Sequence, residues 1–373
     1  MKKRFLPLIL IVMLTFVSCL GFVNKIEEDV DLNFDVISDG ISNFEIDVRN
    51  GFLTVKGWEG SSIKIEGKRY VQGMGNLEDE LSQISLASRQ RGNQQRIYID
   101  YPKYMETKIG FNFGYSITVF IPNSLYESLL IMSLDTSNGD ITMNDFYGDI
   151  VSDTSNAKIY HENISGKVHA DTSNGEIILN NINGTIYADT SNARIAVEKS
   201  NGSIELDTSN GPVFLKNVNG DIVADTSNAP VSLENCTGNI VVDTSSGKVS
   251  LINVTGEIKI DSSNAPVSLS NCVFIGSRNE IDSSNGSITG SLTLPESGKF
   301  VIKTTNGDIK LMVPAYSNAR YTADTSNGDI RIENIPVTII DKDRTDEEGF
   351  FNADQGVSLE LDTSNGDITV IGQ

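Results

Sequence analysis

Between residues 135 and 264 the aliphatic positions recur every 18 residues. With the Asp that opens each repeat counted as position one, they fall at positions 7, 9, 12, 16 and 18, as in Val213, Leu215, Val218, Ile222 and Ala224. The spacing of two inside each pair is the strand period, so each unit supplies two short strands with one face inward. Position 7 is Ile or Val in all eight copies. Eighteen residues are too few for two strands joined by a helical crossover, and a fixed period of this kind marks a stack in which each repeat is one turn. The pattern predicts an all-β fold, a parallel β-solenoid of about a dozen short coils that would reach roughly 55–60 Å at ~4.8 Å per coil.

The polar positions are as periodic as the apolar ones. Each copy opens DTSNG or a close variant, placing acids at Asp135, Asp153, Asp171, Asp189, Asp207, Asp225, Asp243 and Asp261. Position 4 carries Asn138, Asn156, Asn174, Asn192, Asn210, Asn228 and Asn264, with Ser246 as the exception. Position 11 carries Asn163, Asn181, Asn217, Asn235, Asn253 and Asn271. Asn tolerates left-handed backbone angles, and its amide both donates and accepts, so identical Asn residues stacked coil on coil predict hydrogen-bonded ladders at two corners. Gly148, Gly166 and Gly184, at position 14, predict the remaining tight bend. Gly139, Gly175, Gly211 and Gly247 alternate with Ala157, Ala193, Ala229 and Ala265, a superperiod of 36 that duplication of a two-unit block would produce.

An exposed Asp column at ~4.8 Å spacing would repel by about 0.9 kcal/mol per adjacent pair in water. The expected compensation is that each carboxylate accepts the backbone N–H groups of its own Ser and Asn, as a turn acid does. A row of Ca²⁺ sites is the sharper alternative, weakened because Lys303 replaces one Asp and the glycine-rich calcium nonapeptide is absent. The expectation is therefore no metal and no cofactor.

Outside the regular core the pattern loosens. Residues 19–40 are mixed and acidic and read as a tether. Residues 41–134 form a β-rich N-terminal capping region, in which Asp47 to Val55 is a degenerate copy of the repeat and Asn76 is placed to cap a short helix. Regular coils run over 135–281, and the step then lengthens to 21 over 282–373, with Leu294-Pro295 and Val313-Pro314 predicting outward bulges. A charged insertion at 334–356 carries exposed-looking Phe350 and Phe351, and a last DTSNGDITVIG is expected to end the stack.

Lys2, Lys3 and Arg4 precede the apolar run Phe5 to Val17, which is too short to span a bilayer and reads as a signal-peptide core over residues 1–18. Ser18-Cys19 resembles a lipobox with Phe16 in place of the usual Leu, so Cys19 is the expected lipidation site and the membrane, reached through that lipid, the first expected partner. Loss of the leader would take the formal charge from −21 to −24, which argues against nucleic acid as a partner. Cys236 and Cys272, two repeats apart at an inward position, are expected to be free and buried.

No Ser-His-Asp order, zinc motif or phosphate loop is present, and His161 and His169 point to opposite faces. Residues present in every coil behave as structure, so a functional site should be a local departure from the repeat. Arg278 and Lys299 are scattered candidates without an assigned role, and the places to look are the junction near Phe274 to Arg278 and the 341–351 insertion.

The phrases VFIPNSLYESLLIMSLDTSNGDI, YGDIVSDTSNAKI and LTLPESGKFVIKTTNGDI resemble the bacterial "putative-adhesin" family of β-helical cell-envelope proteins over about residues 41–373. The resemblance implies a right-handed parallel β-helix, placement in the envelope and no established catalysis. The leading functional expectation is a lipid-anchored extracytoplasmic adhesin, spacer or binding surface for a glycan or an envelope protein, and not an enzyme. A carbohydrate-active β-helix enzyme on acidic polysaccharide, and a scaffold or sensor partner in an envelope-stress system, are the alternatives.

Overall fold

A computed structural model describes residues 24–35 and 40–373. The leader at 1–18 and the lipidation site Cys19 lie outside the described residues.

Each 18-residue unit adds one strand to each of two parallel sheets, and the sequence period maps residue onto residue. In the first sheet Ile186, Ile204, Ile222 and Ile240 stand in register, as do Asp189, Asp207, Asp225 and Asp243. In the second, Ile177, Ile195, Val213, Val231, Val249 and Val267 form one inward column. Single bridges from Asn183 through Asn201, Asn219 and Thr237 to Thr255 tie the coils along a third, minimal side. The cross-section is three-sided, and a hydrophobic core runs along its axis. Cys236 and Cys272 are free and buried in it. His161 is also fully buried, with Nε2 placed 2.8 Å from Ser152 Oγ, and burial pushes its pKa down to about 4.

The N-terminal region caps the stack. The strands Asn43–Asp47 and Leu53–Trp58 form the first coil, in which Asp47 stands in register with Asp135 and Leu53 with Ile141. Beyond it the strands Gln94–Asp100 and Asn112–Pro122 add a further parallel layer. Antiparallel strands then close the end: Ser85–Arg91 on one sheet, and Ser62–Gly73 followed by Asn24–Asp35 on the other. The tether expected over 19–40 is therefore corrected, because Asn24–Asp35 is an outer strand. Its alternation is faint in the sequence since it buries only Val30 fully, and it is held instead by ladder hydrogen bonds and by ion pairs of Glu27 with Lys68 and Glu28 with Arg69. The helix Leu77–Ser82 forms where expected, but the Asn76 side chain accepts no N–H of its first turn; its amide donates to Asp79 Oδ2 at 2.6 Å.

Past Asp261 the coils widen to hold aromatic rings. Phe274 and Phe300 stack inside with centroids 4.5 Å apart, and the ladder between Val267–Phe274 and Ile288–Thr293 shifts register after Leu269. The C-terminus departs from the expected order. The strand Val357–Thr363 lies between Lys299–Thr304 and Ala319–Thr325, and Ile368–Gly372 lies between Ile309–Val313 and Ile330–Glu333. The last coil in sequence is thus slotted one layer inside the stack, and does not end it. The insertion is a β-hairpin, Val337–Lys342 with Asp346–Phe351, that pairs antiparallel to Ala319–Thr325 and covers that edge. Phe351, read as exposed, is fully buried and stacks on Tyr321 at 4.7 Å; Phe350, next to it on the opposite face of the strand, stays partly exposed. The four-residue strand Ile330–Glu333 is left as a short outer edge with Arg331 and Glu333 exposed, the kind of edge that discourages further pairing.

Candidate binding site

The two Asn columns are ladders. At position 4, amide Nδ2 donates to Oδ1 of the preceding coil from Asn156 to Asn138 (2.7 Å), Asn174 to Asn156 (2.9 Å), Asn192 to Asn174 (2.8 Å), Asn210 to Asn192 (3.0 Å) and Asn228 to Asn210 (2.9 Å). Asn138 joins Asn50 in the same way. Ser246 interrupts the ladder, so Asn264 donates to Ser245 O instead, and the ladder resumes through Asn285, Asn306, Asn365 and Asn327. The second ladder, at position 11, runs from Asn163 to Asp145, Asn181 to Asn163 and, beyond Lys199, Asn235 to Asn217 and onward to Asn271. Only this second column is left-handed, with φ of 53–58° from Asp145 to Asn271. Gly166 and Gly184 make the bend at position 14 with φ of 153° and 155°, whereas Gly148 does not share that conformation. Gly175, Gly211 and Gly247 are there for closeness and not for φ, since a Cβ would run into the carbonyl oxygen of Ala157, Ala193 and Ala229 below.

The Asp column is exposed and in register, but its carboxylates do not close the turns. Among the described residues, none of Asp135, Asp153, Asp171, Asp189, Asp207, Asp225, Asp243 and Asp261 accepts a backbone N–H of its own turn; they line the outer face. The turn is closed from inside by position 2, which sequence reasoning missed: Thr172, Thr208 and Thr244 Oγ1 accept the N–H of Gly175, Gly211 and Gly247 at 3.0, 3.0 and 2.9 Å. Thr172 and Thr190 also donate to the carbonyls of Ala157 and Gly175 in the coil below. These hydroxyls are buried, and the signal was present, since positions 16, 18 and 2 continue one inward alternation. Repulsion in the column is left standing. Partial burial, followed by the neighbouring Asp47 and Asp153, pushes Asp135 up to about 6. Asp153, Asp189 and Asp225 are raised by the same causes in the same order, burial and then adjacent Asp residues. Lys303 stands in the column between Asp282 and Asp362 and relieves it there. Among the described residues no group of three or more His, Cys, Asp or Glu is placed to hold a metal ion.

The position-11 ladder ends at Asn271, where the coil lengthens, and a concavity lies there. A trough of about 720 Å³ crosses the outer face of the first sheet, lined by Val241, Glu257, Lys259, Arg278, Glu280, Lys299 and Val301, among others. That volume is in the range of small-ligand sites. The extra residues at 275–277 and 294–298 make one wall: a Cβ on Gly298, whose φ is 94°, would sit 2.5 Å from Ser277 O, so these two corners stack closely. The wall is pinned. Glu257 Oε2 accepts the N–H of Ser277 at 2.8 Å, and buried Asn279 accepts the N–H of Ile258 at 2.8 Å while donating to Ile275 O at 3.0 Å. Arg278 and Lys299, scattered in the sequence, are direct register partners on neighbouring strands. Lys259 faces Glu280 at 3.9 Å, and Lys299 and Lys303 share Glu360 at 2.6 Å each, which holds the Glu360 carboxyl below its usual range.

Residues 224–371 match the model of the Toastrack DUF4097 family, a span that includes the whole trough. No curated protein matches the chain. Among solved structures, a protein from Clostridium sporogenes described as a "putative cell adhesion protein" aligns at 10% identity over 94% of this chain and 100% of its own, with a TM-score of 0.19, a superposition too loose to carry an argument. The family resemblance read from the repeat phrases therefore rests on the profile match: over residues 224–371 this β-solenoid is similar to the Toastrack DUF4097 family.

Proposed function

We propose that the protein is an extracytoplasmic β-solenoid of the cell envelope that serves as a rigid binding rod, with its recognition site in the trough between the 18- and 21-residue coils. The observation that carries this reading is the coincidence of the break in the repeat with a pinned, concave, charged site on an otherwise periodic surface. Anchoring through Cys19 belongs to the same proposal. Four residues separate Cys19 from Asn24, and the five Cα–Cα steps between them reach at most ~18 Å, so the capped end would stand close to the membrane and the trough would project from it.

The test is to immobilise the rod, residues 24–373, on glycan and extracellular-matrix arrays. Binding that competes with substitutions in the trough supports the proposal, and a blank across both arrays removes it. Radiolabelled palmitate incorporation that is lost in Cys19→Ala checks the anchor. A carbohydrate-active enzyme is the second reading, because the trough does bring Lys, Arg and acids onto one face, as such an enzyme needs. Its Glu257 is already engaged by the backbone of the wall, and Glu280 by Lys259. Release of reducing ends from acidic polysaccharide would favour the enzyme over the binding rod.

A further inference from the structure

We infer that the trough takes a uronic-acid saccharide, with a sugar carboxylate on Arg278 and the apolar ring faces on Val241 and Val301. This rests on the reading of the trough as the recognition site. Three observations lead to it. Arg278 makes no ion pair among the described residues, although the chain carries a net charge of −21, and it projects from a wall that Glu257 and Asn279 hold in place. An unpaired planar guanidinium on such a wall matches a carboxylate through two parallel N–H···O bonds. Lys259 and Lys299 flank it with side chains 56% and 57% exposed, each partnered on one side and free to donate further hydrogen bonds to hydroxyls or a second carboxylate. The floor, finally, offers an apolar patch at each end of one outward row: Val241, 40% exposed, and Val301 stand three strands apart with Lys259 and Glu280 in register between them, a span that separate rings of an oligosaccharide can cover.

The net charge of the rod opposes the approach of a polyanion. At ~0.15 M salt, however, charges further than about 8 Å are screened, so a short ligand in the trough responds mainly to the local cations. The Asp column continues along the trough's own strands as Asp243, Asp261 and Asp282, two residues beyond Val241, Lys259 and Glu280, so it is the local cations Arg278, Lys259 and Lys299 that would receive a carboxylate.

The probe is trigalacturonic acid, titrated into the rod by calorimetry at ~0.15 M salt, beside its methyl ester, which keeps the rings and removes the charge. The acid should bind, and both the ester and the Arg278→Gln variant should bind about tenfold more weakly or worse. Arg344→Gln, an exposed arginine on the C-terminal hairpin, should leave affinity unchanged. Far-UV circular dichroism checks that each variant keeps its strands. Equal binding of acid and ester, or affinity indifferent to Arg278→Gln, overturns the inference. An array that finds a neutral glycan held in the trough overturns it too, yet leaves the binding rod standing; an array blank for every ligand removes both.

Discussion

At the scale of single residues, the repeated phrase divides its labour between inside and outside. Thr208 is buried, and its hydroxyl satisfies the N–H of Gly211 at 3.0 Å, whereas Asp207 beside it faces solvent and satisfies nothing in its own turn. Thr208→Val keeps the shape and strands a buried N–H, which costs about 1–3 kcal/mol and should appear as a lowered melting temperature, with Thr208→Ser largely retaining wild-type stability. The Asp column predicts the opposite kind of effect. Asp135 has a folded pKa of about 6, above its unfolded value, so the folded state binds more protons. Its contribution is fully present below roughly pH 4 and is lost as the pH rises through about 6. Thermal melts should therefore show higher stability at pH 5 than at pH 7, and Asp135→Asn should flatten that slope and be the more stable form at pH 7. Solvent screening at this exposed position holds the effect to about 1 kcal/mol, or ~2–4 °C.

At the scale of elements, both ends of the rod are closed by antiparallel strands laid against parallel coils, and the C-terminal end does so by going out one layer and coming back. The hairpin depends on Phe351, which is fully buried against Tyr321 while the Tyr321 hydroxyl donates to Glu347 at 2.7 Å. Phe351→Ala should cost about 3–5 kcal/mol in the C-terminal coils, and Phe350→Ala far less, read as protease cleavage within 319–356. Because Val357–Thr363 and Ile368–Gly372 sit between other coils, deleting residues 357–373 removes a middle layer. Limited proteolysis should find the truncated chain unfolded from about residue 305 onward. A rod shortened cleanly by one coil would contradict the slotted order.

At the scale of the whole molecule, each coil contacts its neighbours alone, so stability adds along the axis while charge adds along the surface. Screening of the repulsion along the Asp column should make the rod more stable in salt than in water. Raising ionic strength from ~0.01 to ~1 M shortens the screening length from about 30 to 3 Å, and the melting temperature should rise with it. Chelation should leave that temperature unchanged, since the column closes no turn and gathers no metal-binding group among the described residues; a fall on adding chelator would return calcium to the column.

The sequence by itself determined the coil. Its 18-residue period, the inward aliphatics and both Asn ladders were legible because a solenoid places residue i against residue i + 18, so local pattern and tertiary neighbour are the same information. It misassigned the turn to Asp135 and its copies because carboxylate and hydroxyl can both cap a turn, and only the inward face of the strand decides which of them is near the N–H. It read Asn24–Asp35 as a tether and Phe351 as exposed because those segments pair with partners that no period announces. The break near Phe274 to Arg278 was visible as a lengthened step. That the added residues stack into a wall, bring Arg278 beside Lys299 and leave a trough was decided by tertiary structure alone, because it depends on where a coil sends its surplus chain once its interior is filled by Phe274 and Phe300.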